Sequence, residues 1–220
     1  GLTFIKSGGR GMIGVHAAFT CGDETLHEAA LLAESLGVGV HVHVAEGLDD
    51  VDAGSRLEHI AKENWLLIHA VHLDRQLLGS IVHNPRSNMN NSVGYAKPST
   101  RTNNILLGTD GIGANMMEEA RLAHVRLREF DVSQDPTVVD HWLQNNYQYF
   151  PEAKSDKVTW SYNNMSSPWH TAFTTDMHVL SVEVDGEKLY EEGKFMRMDI
   201  QEIRAKANEQ AQRLFERLEA

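Results

Sequence analysis

Cysteine, long apolar runs and positive charge are all scarce in this sequence, and each scarcity excludes a class of protein. Cys21 is the only cysteine among the 220 residues, so an internal disulfide cannot form, which fits a reducing cytosol. No apolar run reaches the roughly 18 residues of a membrane-spanning helix. Gly1–Lys6 resembles neither a signal peptide nor the start of a domain. We therefore expect a cytoplasmic protein that does not bind a membrane.

Negative charge dominates the composition. Lys and Arg total 20 against 31 for Asp and Glu, which gives a net charge of −11. A strongly acidic chain is a poor partner for nucleic acid or for an anionic membrane surface. The sequence also has no Walker lysine, dinucleotide fingerprint, Gly-x-Ser-x-Gly elbow or Cys-x-x-Cys pair. The common signatures of nucleotide binding, serine hydrolysis and dithiol redox chemistry are therefore missing.

Five short apolar segments with β-like composition each end in a side chain that can bind a metal or transfer a proton. These end residues are His16, His43 with Glu46, His69, His83 and Asp110. Helix-like stretches follow several of the segments. Alternating strands and helices are typical of a (β/α) barrel, in which the chemistry lies at the C-terminal ends of the strands. Several His and one Asp at those ends are most simply interpreted as a metal hydrolase.

Periodicity predicts the other elements of the chain. Predicted strands cover 11–19, 38–44, 65–69, 80–83 and 105–108, and predicted helices cover 23–36, 49–62, 116–128 and 137–149. Residues 73–78 have room for only one helical turn. The polar stretch 84–102 contains two prolines and a glycine, so we predict a loop there.

The character of the sequence changes at Pro151. Strands are predicted at 157–161 and 177–184, with a hairpin turn at Asp185-Gly186. A long amphipathic helix is predicted from Asp199, its N-cap, to Leu218. We therefore predict two parts, a partial TIM barrel at 1–150 and a small β hairpin element with a C-terminal helix at 151–220. About five strand–helix units precede this change, whereas a closed barrel needs eight and about 250 residues.

His43 and Glu46 form the strongest candidate site. A strand-end histidine can offer a ring nitrogen to a metal, and a nearby carboxylate can move a proton from metal-bound water to a leaving group. The alternative is a solvent-facing Glu46 beside packed histidines. His41 shares the strand face of His43, and for His41 we favour a packing role over metal ligation.

The remaining candidates follow later strands. His69 stands at a strand end, where its side chain would face the barrel mouth, whereas His72 suits a structural role in the next loop. For His83 we also favour a structural role. Asp110 lies in a glycine-rich turn, where it can ligate a metal and accept a proton, although an Asp before Gly is more commonly an ordinary turn residue.

Taken in order, five segments resemble one branch of the amidohydrolase superfamily. They are Gly14–Thr20, His41–Glu46, His69–Asp74, His83–Asn91 and Leu107–Ala114. The branch contains guanine deaminase, methylthioadenosine/adenosylhomocysteine deaminase and the triazine chlorohydrolases. Asn88–Asn91 with Val93–Ala96 is most similar to the aminohydrolases of the SsnA type. The resemblance implies a metal-dependent TIM (β/α)8 barrel that deaminates or dechlorinates a nucleobase- or triazine-like ring.

The resemblance also implies roles for individual residues. His43 would be a metal ligand, Glu46 the proton shuttle, His69 the group that polarises substrate or water, Asp110 a metal ligand that activates water, and His16 and Asn88 substrate contacts. The implied cofactor is a divalent metal, zinc or iron. The implied substrate is a small nitrogen heterocycle.

One departure from the family pattern is large. The His-x-His pair of the family's first strand, which supplies two metal ligands, has no counterpart, because the only such pair is His41 and His43. We therefore expect the C-terminal half of such an enzyme, either joined to a missing N-terminal half or as a homo-oligomer paired through open strand edges at 11–19 and 105–108. The alternatives are a catalytically inactive fragment that acts as an oligomerising or binding module, and a hydrolase that uses Glu46 and His69 without metal.

Overall fold

The computed structural model describes residues 1–113, 115–162, 168–174 and 176–219, which form two compact units. The first unit consists of Gly1–Tyr149 together with the helix Pro168–Phe173. The second contains a small antiparallel sheet and the C-terminal helix. The domain boundary predicted between residues 150 and 151 stays a prediction. Within the described residues, no helix is long and apolar enough to cross a membrane.

The first unit is built on a parallel sheet whose five strands follow one another in sequence order. The strands are β1 (Ile13–Ala17), β2 (Val40–Val44), β3 (Leu66–His69), β4 (Ser80–His83) and β5 (Ile105–Leu107). The helices are α1 (Leu2–Lys6), α2 (Asp23–Leu36), α3 (Ala53–Leu57), α4 (Pro85–Asn90), α5 (Met116–Phe130), α6 (Pro136–Asn145) and α7 (Pro168–Phe173). The predicted α/β fold with five parallel strands is confirmed.

The two faces of β2 differ because side chains alternate along a strand. Val40, Val42 and Val44 are at most 1% exposed and belong to the main hydrophobic core, and full burial of each contributes about 2 kcal/mol. His41 and His43 lie on the opposite face. The side chain of His41 is exposed and its ring lies 6.1 Å from the ring of His43, so its predicted packing role stays a prediction. The inner-face cluster of Leu66, Ile68 and Leu106 lies on β3 and β5 and does not include a residue of β2.

The predicted helix at 49–62 is mostly absent. A 3₁₀ turn at Leu48–Asp50 and the short α3 replace it. The cause is the buried Asp50, whose carboxylate accepts hydrogen bonds from the backbone N–H of Phe19 at 2.9 Å and of Ala45 at 2.7 Å. These two bonds hold the chain against the ends of β1 and β2, and they override the local helical pattern.

Two further predictions after β3 are wrong. Residues 73–78 contain no helical turn, because the carbonyl groups of Leu73 and Leu77 accept side-chain hydrogen bonds from Arg101 and Asn103 instead. The stretch 84–102 is not all loop, since α4 occupies its first part. Pro85 stands at the start of α4, where the missing N–H costs nothing.

The second unit is a four-stranded antiparallel meander followed by a helix. Its elements are β6 (Lys157–Trp160), β7 (Val179–Val184), β8 (Glu187–Glu191), β9 (Lys194–Phe195) and α8 (Ile200–Glu219). The hairpin predicted at Asp185-Gly186 is confirmed, with φ of +50° and +77° at the two turn residues. Asp199 caps α8 as predicted, and its Oδ1 accepts from the N–H groups of Gln201 and Glu202. The short strand β9 was not predicted.

Candidate functional site

The predicted site residues meet at the C-terminal edge of the parallel sheet. The His43 ring lies 5.4 Å from the ring of His16 on β1 and 5.4 Å from the ring of His69 on β3, measured between centroids. Glu46 follows β2, and Asp110 follows β5. Parallel strands end at one edge of their sheet, so residues distant in the sequence share one site there.

His69 is the centre of the cluster. Its side chain is 1% exposed, and its Nε2 lies 3.4 Å from Glu46 Oε2 and 3.7 Å from Asp110 Oδ2. Both carboxylates are about one-third exposed, so they connect the buried ring with the open side of the site. This arrangement can hold a proton between one imidazole and two carboxylates.

The backbone around this cluster is strained. His69, Asp110 and Ala45 have positive φ values of 71°, 51° and 48°, a region that costs non-glycine residues free energy. Ala70 shares this conformation. Such strain persists only where surrounding contacts fix it, and it concentrates at functional sites. The strand ends are thus bent to aim these side chains at one point.

Helix α4 and the residue after it fix all three acid–base side chains. Ser87 Oγ donates to Asp110 Oδ2 at 2.6 Å, and Asn91 Nδ2 donates to Glu46 Oε1 at 3.2 Å. Asn88 Oδ1 lies 2.8 Å from His69 Nδ1. A carbonyl oxygen can only accept, so the contact of Asn88 favours the tautomer with the proton on Nδ1, in which Nε2 faces the carboxylates.

A buried ion pair anchors α4 from behind. Arg86 Nε lies 2.8 Å from Glu119 Oε1 on α5, and the backbone N–H of Arg86 donates to Glu119 Oε2 at 3.3 Å. The 2.8 Å contact between the guanidinium group and Oε1 is an ion pair. Burial raises the pKa of Glu119, and Arg86 opposes that shift. The pair therefore ties α4 to the helix that follows Asp110.

The electrostatics favour the protonation states that metals bind. Burial lowers the pKa of His43, and the neighbouring His69 lowers it further. The hydrogen bond from Ser87 lowers the pKa of Asp110, and the backbone N–H of Gly111 adds to this effect. At neutral pH the site thus presents a neutral imidazole and an ionised carboxylate, the ligand forms that divalent metals require.

The same residues do not complete a metal site. Across the described part of the chain, no three His, Cys, Asp or Glu side chains are grouped closely enough to hold an ion. Zinc sites use at least three protein ligands, whereas the sequence offered only His43 and Asp110. The residues present therefore do not by themselves fit a resident metal.

The two residues predicted to contact the substrate differ in their exposure to solvent. His16 is exposed, and its Nδ1 lies 3.0 Å from Thr20 Oγ1. Asn88 is 1% exposed and lies behind His69, so its carbonyl oxygen is occupied. The substrate-binding roles of both residues stay predictions.

Three further residues around the site bear on the predictions made from the sequence. Asn91 was missed, because its segment was predicted to be loop. Its spacing of four from Ser87 would place both on one helix face. His72 bonds the carbonyl of Val93 at 2.8 Å, and His83 lies buried against the rings of Tyr95 and Trp142. Both histidines thus have structural surroundings, as predicted.

Known proteins with related sequences are deaminases. A 5-methylthioadenosine/S-adenosylhomocysteine deaminase from Desulfitobacterium hafniense is 30% identical, over an alignment that covers 87% of this chain and 55% of the relative. A 5'-deoxyadenosine deaminase from Methanothrix thermoacetophila is 28% identical, over 94% of this chain and 59% of the relative. The chain thus spans somewhat more than half the length of the curated relatives it matches.

Solved structures share the fold at lower identity. An adenosine deaminase from Xanthomonas campestris with bound zinc matches with a TM-score of 0.75 and 18% identity, over 91% of this chain and 56% of that one. The atrazine chlorohydrolase TrzN from Arthrobacter aurescens, complexed with zinc, matches with a TM-score of 0.64 and 16% identity, over 94% and 58%. The model of the amidohydrolase family matches residues 3–140, more than half of the chain. This chain therefore belongs to the amidohydrolase family.

Proposed function

We propose that this chain supplies the C-terminal part of a metal-dependent aminohydrolase. The proposed reaction is hydrolytic deamination or dechlorination of a nucleobase- or triazine-like ring. The observation that carries the proposal is the buried His69, which lies within 4 Å of both Glu46 and Asp110 while α4 and the residue after it hold all three. The names of the deaminase relatives support this substrate class.

Each residue of the cluster has a proposed task. Glu46 carries a proton to the departing nitrogen, because its carboxylate is about one-third exposed and accepts a hydrogen bond from the exposed Asn91. His69 polarises the substrate or the attacking water through Nε2, the nitrogen that faces the two carboxylates while Nδ1 contacts Asn88. Asp110, kept ionised by Ser87, accepts a proton from the attacking water. His16, exposed beside His43, contacts the substrate.

This chain does not by itself complete the metal site. When bound, a divalent metal such as zinc or iron lowers the pKa of a water and supplies the nucleophile at neutral pH. His43 and Asp110 would be this chain's ligands, and at least one more must come from elsewhere. We therefore propose that activity needs a second polypeptide part that carries further neutral nitrogen ligands. The cytoplasmic location stays a prediction.

The test uses metal analysis and ammonia release. We expect the purified 220-residue chain to bind zinc weakly and to release little ammonia from 5-methylthioadenosine or guanine. Adding the N-terminal part of the Desulfitobacterium relative in trans should raise both readouts. In that mixture Glu46→Gln should abolish ammonia release and retain zinc, and Glu58→Gln, an exposed control, should change neither. Stoichiometric zinc and rapid ammonia release by the chain alone would contradict the incomplete site.

A second candidate is a catalytically inactive fragment that persists as an oligomerising or binding module. The incomplete ligand set of the described residues favours this alternative. Trans-complementation separates the two candidates, because an inactive module would gain neither zinc nor ammonia release from an added N-terminal part. A hydrolase that uses Glu46 and His69 without metal would instead release ammonia in the presence of a chelator.

A further inference from the structure

His72 joins two segments of the chain that both reach Glu46. Its backbone N–H donates to the C=O of Ala45 at 2.8 Å, and Ala45 directly precedes Glu46. Its ring Nε2 lies 2.8 Å from the C=O of Val93, two residues after Asn91. Because a carbonyl oxygen can only accept, this contact favours the tautomer with the proton on Nε2. One residue of the loop after β3 therefore contacts both the loop after β2 and the segment after α4.

The backbone bond of His72 acts on a strained residue. Ala45 is fully buried and has a positive φ of 48°, a conformation that persists only where surrounding contacts fix it. The N–H of Ala45 donates to the carboxylate of Asp50 at 2.7 Å, and its C=O accepts from His72. That C=O belongs to the peptide bond that leads into Glu46. The bond from His72 therefore fixes the direction in which the chain enters Glu46.

The ring of His72 acts on the segment that holds the Glu46 carboxylate. The N–H of Val93 donates to the C=O of Asn88 at 3.1 Å, which connects Val93 to the last turn of α4. Asn91 lies between these two residues, and its Nδ2 donates to Glu46 Oε1 at 3.2 Å. Asn91 is exposed, so it can hold a carboxylate at low entropic cost only where its backbone is already ordered. The bond from His72 to Val93 supplies a fixed point two residues away.

We propose that His72 is a positioning residue for Glu46. Its backbone N–H fixes the peptide bond before Glu46, and its ring fixes the segment that carries Asn91. His72 acts through these two neighbours and has no proton transfer of its own. The role of Glu46 as proton carrier rests on the proposed function, whereas the position of its side chain can be measured without any activity.

NMR of the 220-residue chain tests the position of Glu46. In the wild type we expect a nuclear Overhauser contact between the side-chain amide of Asn91 and the methylene groups of Glu46. His72→Leu removes the bond to Val93, so this contact should be lost. His72→Gln should restore it, because the amide nitrogen of Gln can donate in place of the ring Nε2. The control His59→Gln changes an exposed histidine and should match the wild type.

Kinetics test the consequence for the proposed reaction. With the N-terminal part of the Desulfitobacterium relative added in trans, His72→Leu should lower kcat about tenfold or more. KM should change by less than about twofold, because a misplaced proton carrier weakens the transition state rather than substrate binding. His72→Gln should recover most of the lost kcat, and His59→Gln should keep the wild-type values.

An unchanged contact between Asn91 and Glu46 in His72→Leu would overturn the proposal. A lost contact with an unchanged kcat would overturn it as well, and so would a loss of kcat that His72→Gln does not recover. If no mixture releases ammonia, the wild type included, the proposed function fails and the NMR contact alone decides whether His72 positions Glu46. If His72→Leu does not fold, His72→Asn replaces it, because its shorter amide keeps a polar side chain but does not reach Val93.

Discussion

The hydroxyl of Ser87 donates a 2.6 Å hydrogen bond to the carboxylate of Asp110, across 23 residues of sequence. It joins the segment after β4 to the turn after β5, the last two strands of the parallel sheet. Because Asp110 is also in a left-handed backbone conformation, this bond fixes a side chain that the local backbone would not hold by itself. The carboxylate thus depends on its neighbouring strand for both position and charge.

Removing that bond should change the acidity of Asp110. In Ser87→Ala we expect the pKa of Asp110 to rise, because the hydrogen bond from Ser87 is the largest cause of its lowered value. The measurement is a pH titration of the Asp110 side-chain carbon by NMR. Ser55→Ala, which removes an exposed hydroxyl elsewhere, should leave that titration unchanged. An unaltered Asp110 curve in Ser87→Ala would show that other groups set its charge.

Replacing only one partner of the Arg86–Glu119 ion pair should lower the free energy of unfolding. Arg86→Met leaves the fully buried Glu119 without its partner, and we expect a loss of about 3 kcal/mol in the free energy of unfolding at neutral pH. The combined variant Arg86→Met/Glu119→Leu should recover most of that loss, since it removes the buried charge as well. Urea denaturation of the single and double variants gives both values.

An exposed ion pair provides the matched control. Arg75 and Glu58 are 2.7 Å apart, and both side chains are more than one-third exposed. Arg75→Met should therefore lower the free energy of unfolding much less than Arg86→Met. Equal losses in Arg75→Met and Arg86→Met would contradict the anchoring role assigned to the buried pair.

The fold could be predicted where one local pattern dominates. The spacing of apolar residues predicted α2 over its whole length, and alternating valines predicted β2. Prediction from the sequence failed at α3. There the backbone N–H groups of Phe19 and Ala45 donate hydrogen bonds to the carboxylate of Asp50, and these bonds decide the path of the backbone. Tertiary hydrogen bonds of this kind have no periodic signal, so no window of sequence reveals them.

The candidate site, like the fold, could be predicted only in part. The grouping of His43, His69 and Asp110 could be predicted, because the C-terminal ends of parallel strands meet at one edge. The bond between Asn91 and Glu46 could not, because it depends on α4, whose segment is polar and begins with a proline. The side-chain bonds of Asn145 and Asn146 to β5 also escaped prediction, since they depend on where α6 ends relative to the sheet.

Two glycines in the sheet region should respond differently to a methyl group. A Cβ on Gly39, just before β2, would lie 1.9 Å from the backbone oxygen of Asn64 and 2.6 Å from Met12 Cε, whereas one on Gly14 in β1 would meet nothing within 4 Å. Gly39→Ala should therefore destabilise the protein by about 1–3 kcal/mol. Gly14→Ala should stay within about 0.5 kcal/mol of the wild type. Thermal and urea unfolding of the pair test this, and similar midpoints would contradict the close contact at Gly39.

The buried His83 should make the free energy of unfolding depend on pH in the acidic range. Its side chain is 1% exposed, neither ring nitrogen has a hydrogen-bond partner among the described residues, and burial lowers its pKa from 6.5 to about 3. Between these two pH values the unfolded chain binds a proton that the folded chain does not. The free energy of unfolding must therefore fall as the pH drops from about 6.5 towards 3, by up to about 5 kcal/mol from this residue.

Replacing the ring isolates that contribution. His83→Phe keeps an aromatic side chain against Tyr95 and Trp142 and removes the titration, so the fall in stability below pH 6.5 should become shallower. His27→Gln, a change at an exposed histidine, should retain the wild-type slope. Urea unfolding at a series of pH values measures each slope. If the free energy of unfolding falls equally with pH in the wild type and in His83→Phe, other groups cause the acid sensitivity. That result would also show that the folded protein accepts a proton on His83 without losing stability.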